Sequence, residues 1–308
     1  MIDFNKCKEI FNKFSGSEVK TAVKCENTIY MIKYPDPVRQ INNTLSYMNN
    51  QFSEHIGCNI FRACGFNAQE TALGYFTKAG IKEKLVVGCK DFTQGGYTLY
   101  EFSKFVNQTL VDRKSDTSIE NVIDVINQND LIDRKNDITE KFWDMFVIDA
   151  LIGNSDRHFD NWGFLEKNGE LTFAPIYDCG SSLAALIHDD KMKCLLCNET
   201  DFKNNEFNKS SCYYMNDKRI FYHVIFKIPP DGLAEAIKRI VPKINMGKIH
   251  GIVDSVTELS GVRKEYINKA LDLRYEQILY PALLRGLKKD KINALPDKSR
   301  SPGNCPEL

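Results

Sequence analysis

The chain has 308 residues, 43% of them hydrophobic, and 41 basic residues balance 41 acidic ones. That is enough apolar material for one large domain or two lobes with sizeable cores. The charge balance excludes a global pull toward nucleic acid or an anionic membrane, so any partner must be recognised locally. The segment Met1-Ile2-Asp3-Phe4-Asn5-Lys6 alternates charged and apolar residues without the apolar core of a secretory signal. No later run reaches membrane-spanning length, and synthesis in the cytoplasm is expected.

Residues 1–95 are expected to form a small lobe of strands around one helix, and 96–308 a larger, mainly helical lobe, with 296–308 a loose tail. Thr28-Ile29-Tyr30-Met31-Ile32 is a β-prone run ending at Lys33. Lys84-Leu85-Val86-Val87-Gly88-Cys89 is a second, cut short by Gly88. Between them Ile41, Leu45, Met48, Phe52, Ile56, Ile60 and Ala63 recur at steps of three or four. That spacing predicts an amphipathic helix, which Gly65 ends. Gln94-Gly95-Gly96 is a turn signal, and from Thr98 the periodicity becomes helical. Thr117-Ser118-Ile119-Glu120 and Asp137-Ile138-Thr139-Glu140 match the capping box. The second opens a strongly apolar helix through Leu151 that runs into Gly153-Asn154. Later helices are expected over 233–241 and 262–287, the last kinked at Pro281. The plan is α+β and bilobal, with a cleft between the lobes as the default ligand site.

The ten cysteines are scattered, and most are expected to be reduced and partly buried. Cys194-Leu195-Leu196-Cys197 has zinc-knuckle spacing, but no second CxxC or HxxxH follows it, and a chance pair is the better reading.

Transfer of a γ-phosphoryl group needs a cation on the nucleotide phosphates, oxygen ligands for magnesium, and a carboxylate beside the attacking hydroxyl. Asp156 and Asn161 stand five apart in the loop Gly153-Asn154-Ser155-Asp156-Arg157-His158-Phe159-Asp160-Asn161. That spacing lets a carboxylate face an acceptor while the amide oxygen turns to a metal. Asn168-Gly169 is a hairpin signal that would bring Asp178 back beside Asn161. Lys33 is the candidate phosphate cation, and Glu54, off the main helix stripe, its partner. Taken alone, each also reads as a solvated surface residue. Phe14-Ser15-Gly16-Ser17-Glu18-Val19-Lys20 is the candidate phosphate loop, with amides near Gly16 and Ser17, or else a solvated turn. The strand Leu85-Val86-Val87 would offer adenine the backbone of Val87 and Cys89. His158 reads either as a stabiliser of transition-state charge or, preferably, as a support of the loop.

In order along the chain, Lys33 in Met31-Ile32-Lys33-Tyr34-Pro35, Glu54 in Phe52-Ser53-Glu54-His55, Asp156-Arg157-His158-x-x-Asn161 and Ile176-Tyr177-Asp178 resemble the motif set of HipA-like serine/threonine kinases. The resemblance implies a bacterial protein serine/threonine kinase using ATP and magnesium. Asp156 would be its base, Asn161 and Asp178 its magnesium ligands, and Lys33 its phosphate clamp. It also implies autophosphorylation, for which Ser15 or Ser17 would serve, a protein substrate with a Ser/Thr acceptor, and translocation into a host cell. Larger members carry an additional N-terminal subdomain, and Lys33 arrives too early for one, so an antitoxin partner through that subdomain is not expected. Two alternatives stay open. The DRHxxN loop is shared with phosphoinositide kinases, for which Lys288, Lys289, Lys291 and Lys298 would offer a basic surface. A nucleotide-binding pseudokinase fits the glycine-poor loop.

Overall fold

The structure, a computed structural model, describes residues 1–12, 20–35, 49–77, 84–109 and 117–293. The candidate phosphate loop at Ser15, Gly16 and Ser17, the first part of the predicted helix and the tail lie outside the described residues. Strands β1 (Ile2–Asp3), β2 (Lys8–Ile10), β3 (Lys20–Cys25), β4 (Thr28–Lys33), β5 (Thr71–Phe76) and β6 (Lys84–Lys90) make one sheet in the order β1-β5-β6-β4-β3-β2. Only the β1–β5 pair is parallel. Helix α1 (Asn50–Ala63) follows β4 and is buried on almost every side. The left-handed Gly65 (φ 91°) lies just beyond its last turn.

Gly88 does not cut β6 short. The strand continues to Lys90, and Gly88 is needed for space: a Cβ there would stand 2.3 Å from the Phe4 ring. Phe4 is fully buried with Val23, Ile32, Phe76 and Val86 in a separate small core beneath the sheet. The β2–β3 register sets Lys8 opposite Lys24, which brings Cys7 and Cys25 face to face, and the two form a disulfide with Cα atoms 4.6 Å apart. Cysteines 58, 64, 179, 194, 197 and 212 are free thiols, and Cys194 and Cys197 lie exposed on a helix.

After the turn at residues 92–96 comes β7 (Thr98–Glu101), a strand where helical periodicity was expected. It pairs with β8 (Gly163–Lys167), which returns through the left-handed Asn168-Gly169 turn to β9 (Glu170–Phe173). Helices α2 (Phe102–Thr109), α3 (Ile119–Gln128) and α4 (Lys135–Ile152) lie between β7 and β8 in sequence. Ser118, not Thr117, caps α3, while Glu120 accepts from the amide of Asn216 instead of closing a box. α4 starts two residues before Asp137, behind a left-handed Arg134, so the second box does not form. Asp137 instead pairs with Arg134 in the first turn.

The remainder is α5 (Asp189–Cys197), α6 (Glu199–Phe207), the hairpin β10 (Ser210–Met215) and β11 (Lys218–Phe221), α7 (Tyr222–Ile225), α8 (Asp231–Ile240), α9 (Met246–Asp254), α10 (Gly261–Arg274) and α11 (Tyr280–Asn293). A π turn over Tyr275–Leu279 joins α10 to α11 directly before Pro281, whose missing N–H removes the regular bond at that point. The irregularity predicted at Pro281 therefore takes the form of a π turn. One large core runs from α1 through α4 to α8–α11, so the helical part and the α1 face of the sheet share it. No helix among the described residues is long and apolar enough to cross a membrane.

Candidate active site

The loop after α4 is set by three local devices. Gly153 ends the helix in the left-handed region (φ 66°), and its Cα faces the Arg274 guanidinium so closely that a Cβ would stand 2.8 Å from it. Asn154 then spans the turn. Its side chain donates to Asp149 Oδ1 (2.9 Å) and accepts from the amide of Asp156 (3.1 Å). Its carbonyl accepts from the Tyr222 hydroxyl at 2.5 Å. Downstream, Trp162 stacks on Phe102 with centroids 4.0 Å apart and donates to the Tyr213 hydroxyl at 3.0 Å, fixing the loop's far end in the aromatic core.

Arg157 is buried beneath the loop, and its bonds were not foreseen from sequence. It forms a fork with Asp149 of α4, Nε to Oδ2 and Nη2 to Oδ1, both at 3.0 Å. Nη1 donates to the carbonyl of Asn161 at 2.9 Å and to that of Tyr177. The charge-assisted, bidentate geometry is the strong kind. It ties α4, the loop and the segment after β9 that carries Asp178 into one body. The signal in the sequence is Asp149 itself, a carboxylate inside the apolar run Phe146-Val147-Ile148-Asp149-Ala150-Leu151, which requires a buried cation nearby.

The structure brings Lys33, Glu54, Asp156, Asn161, His158 and Asp178 to one place. Lys33 Nζ lies 3.0 Å from Asp178 Oδ1 and 3.4 Å from Glu54 Oε2. Glu54 Oε1 accepts the amide of Asp178 at 3.1 Å, which holds Asp178 at a left-handed φ of 58°. Burial alone would raise the Asp178 carboxyl. The Lys33 ammonium outweighs it and leaves the group below the usual carboxylate range. Asp156 moves the other way: partial burial and the nearby charge of Asp178 push its carboxyl up, with His158 opposing. Ser181, missed in the sequence, donates to Asp156 Oδ2 at 3.4 Å. His158 sits between carboxylates, Nε2 3.9 Å from Asp156 Oδ1 and Nδ1 3.6 Å from Asp160 Oδ2. Its Nδ1 accepts the amide of Asp160 (3.2 Å), so in the neutral ring the proton is on Nε2, toward Asp156.

Val87 and Cys89 are not placed as expected. β6 lies inside the sheet, with Val87 paired to Lys33 and Leu73, and Cys89 to Met31 and Thr71. The ladder continues to the amides of Lys90 and Asp91, which donate to Glu70 and Ile29. Their backbone is therefore committed, and the chain first leaves the ladder in the turn at 92–96. Among the described residues no group of three or more His, Cys, Asp or Glu side chains could hold a metal ion.

The HipA-like C-terminal domain family matches residues 13–245. A serine/threonine-protein kinase of Helicobacter pylori, CtkA, is 36% identical over 298 residues, covering 93% of this chain and 89% of that one. The crystal structure of the H. pylori proinflammatory kinase CtkA superposes with a TM-score of 0.86 at 34% identity, over 94% of this chain and 98% of the other. HipA from a Shewanella oneidensis HipA, HipB and operator DNA complex gives a TM-score of 0.52 at 13% identity, over 82% of this chain and 58% of that one, a likeness of fold alone.

Proposed function

From the premise that this chain belongs to the HipA-like C-terminal domain family, we propose that it is an ATP- and magnesium-dependent protein serine/threonine kinase. The observation that carries the reading is the convergence of Lys33, Glu54, Asp156, Asn161 and Asp178, from four separate stretches of sequence, on one cleft.

The donor set fits magnesium. Asn161 spends its amide nitrogen on the carbonyl of Asp156 at 2.7 Å, which leaves its amide oxygen as donor, and Asp178 spends one oxygen on Lys33. A carboxylate and an amide oxygen are hard ligands suited to that ion. When bound, magnesium would offset the charge of the nucleotide phosphates. Lys33, held by Glu54, supplies a second positive charge to the phosphates. Asp156 takes the proton from a serine or threonine hydroxyl as that oxygen bonds to the γ-phosphorus. The bond from γ-phosphorus to the β-phosphate oxygen breaks, and ADP leaves. Arg157 keeps base and metal ligands in register and touches no substrate. Autophosphorylation would fall on Ser15 or Ser17, in the stretch of sequence that precedes β3.

The test is labelling by γ-labelled ATP of the protein itself, of a generic basic protein and of an inositol lipid. Asp156→Ala should lower protein labelling by about a hundredfold or more. Equal labelling by wild type and Asp156→Ala would sink the assignment, and labelling of the lipid alone would reassign the acceptor.

A further inference from the structure

Next to the catalytic loop lies a cavity of about 340 Å³, lined by Ser103 and Asn107 of α2, Thr117 before α3, and His158, Phe159 and Asp160 of the loop. Lys33, Glu54, Asn161 and Asp178 do not line it, so it is distinct from the phosphate end of the cleft. One imidazole separates it from the base: His158 faces Asp156 with Nε2 and Asp160 with Nδ1.

Its described walls carry one carboxylate, which suits a cation better than an anion. The α2 N-terminus is no anion site, because its first amides are spent, Phe102 on the carbonyl of Trp162 (2.9 Å) and Ser103 on that of Phe159 (3.1 Å). The Arg157 guanidinium is buried and turned to Asp149. Lys104 is exposed on α2 and is not part of the lining. Among the described residues that line the cavity Asp160 supplies the one carboxylate, its side chain 63% exposed, on a backbone held by the Tyr177 hydroxyl at 3.0 Å.

We propose that this cavity is a specificity subsite for an arginine or lysine side chain of the protein substrate, with Asp160 as its counter-charge. An extended peptide advances about 3.4 Å per residue, which places the basic residue within about three positions of the acceptor hydroxyl. The inference rests on the kinase reading above and adds the substrate class.

Peptides of about ten residues with a single serine, bearing one arginine at each of the three positions on either side or alanine throughout, separate the two ideas. Wild-type kcat/KM should be about tenfold higher for the best arginine peptide than for the alanine peptide. The ratio should fall toward one in Asp160→Asn, which removes the charge, and in Asn107→Trp, which fills the cavity. Equal use of both peptides by wild type, or a preference that survives both variants, overturns the subsite and leaves the kinase standing. No labelling of the protein, of a basic protein or of any peptide overturns the kinase reading and the subsite with it.

Discussion

Asp156 and Asp178 are both partly buried aspartates, yet their carboxyls move in opposite directions, and the difference is one lysine. Lys33 holds Asp178 down, while Asp156 faces only an imidazole at 3.9 Å and a hydroxyl. In the role proposed for it above, Asp156 acts deprotonated, so activity should rise with pH through a carboxyl above the ordinary aspartate range. His158 opposes that elevation, so His158→Gln should move the acid limb of kcat/KM to higher pH; a limb that stays put or moves lower would remove His158 from this role. The sign for stability at Asp178 is the reverse. Its folded-state carboxyl is depressed, so its contribution is present above the ordinary aspartate pKa and is lost as pH falls through the depressed value. That such residues come together was legible because they sit in short motifs of fixed spacing. Arg157 was not, because its role depends on Asp149 eight residues earlier and on carbonyls at Asn161 and Tyr177, which only the fold assembles.

At the scale of elements, local signals succeeded where a single side chain decides. Asn168-Gly169 makes the hairpin and Gly153 ends α4, as read. They failed where tertiary space decides. Gly88 reads as a strand breaker by propensity, but the Phe4 ring, 84 residues away in sequence, occupies the volume a side chain would need. Gly88→Ala should therefore cost about 1–3 kcal/mol in urea unfolding, and the double variant with Phe4→Leu should be more stable than the sum of the two singles predicts. Additive costs would mean that the ring and the glycine are not in contact. The reading of Val87 and Cys89 failed for a similar reason: a β-prone run does not reveal whether it is an edge or a central strand, and β6 has neighbours on both sides.

For the whole molecule, the two cores are of unequal size. The large one joins α1 to the helices, whereas the sheet's other face rests on the five-residue cluster around Phe4. The Cys7–Cys25 bridge spans the strands beside that smaller core and closes a loop of sequence separation 18. Loop-closure entropy gives such a bridge about 3 kcal/mol. Reductant should lower the unfolding midpoint of the wild type and leave Cys25→Ser unaffected; an equal shift in both would place the effect at another cysteine. The bilobal plan was readable from the change in hydrophobic period along the chain. The bridge was not, because the pairing of two scattered cysteines depends on the β2–β3 register.

Helix α1 carries one further consequence. In many kinases the lysine–glutamate pair is made and broken as the helix bearing the glutamate swings, and that movement is the activation switch. Here α1 is fastened at several points to the segment carrying Asp178. Ser53 donates to the carbonyl of Ser182 at 2.8 Å, Asn49 to that of Ala185 at 3.1 Å, and Glu54 holds the amide of Asp178. Gly57 packs so close to Cys179 that a Cβ would stand 2.6 Å from it. Swinging α1 outward would break all of these together and open the core. The Lys33–Glu54 pair is thus a fixed strut, and on the kinase reading proposed above control would act on access to nucleotide or substrate instead of on assembly of the site.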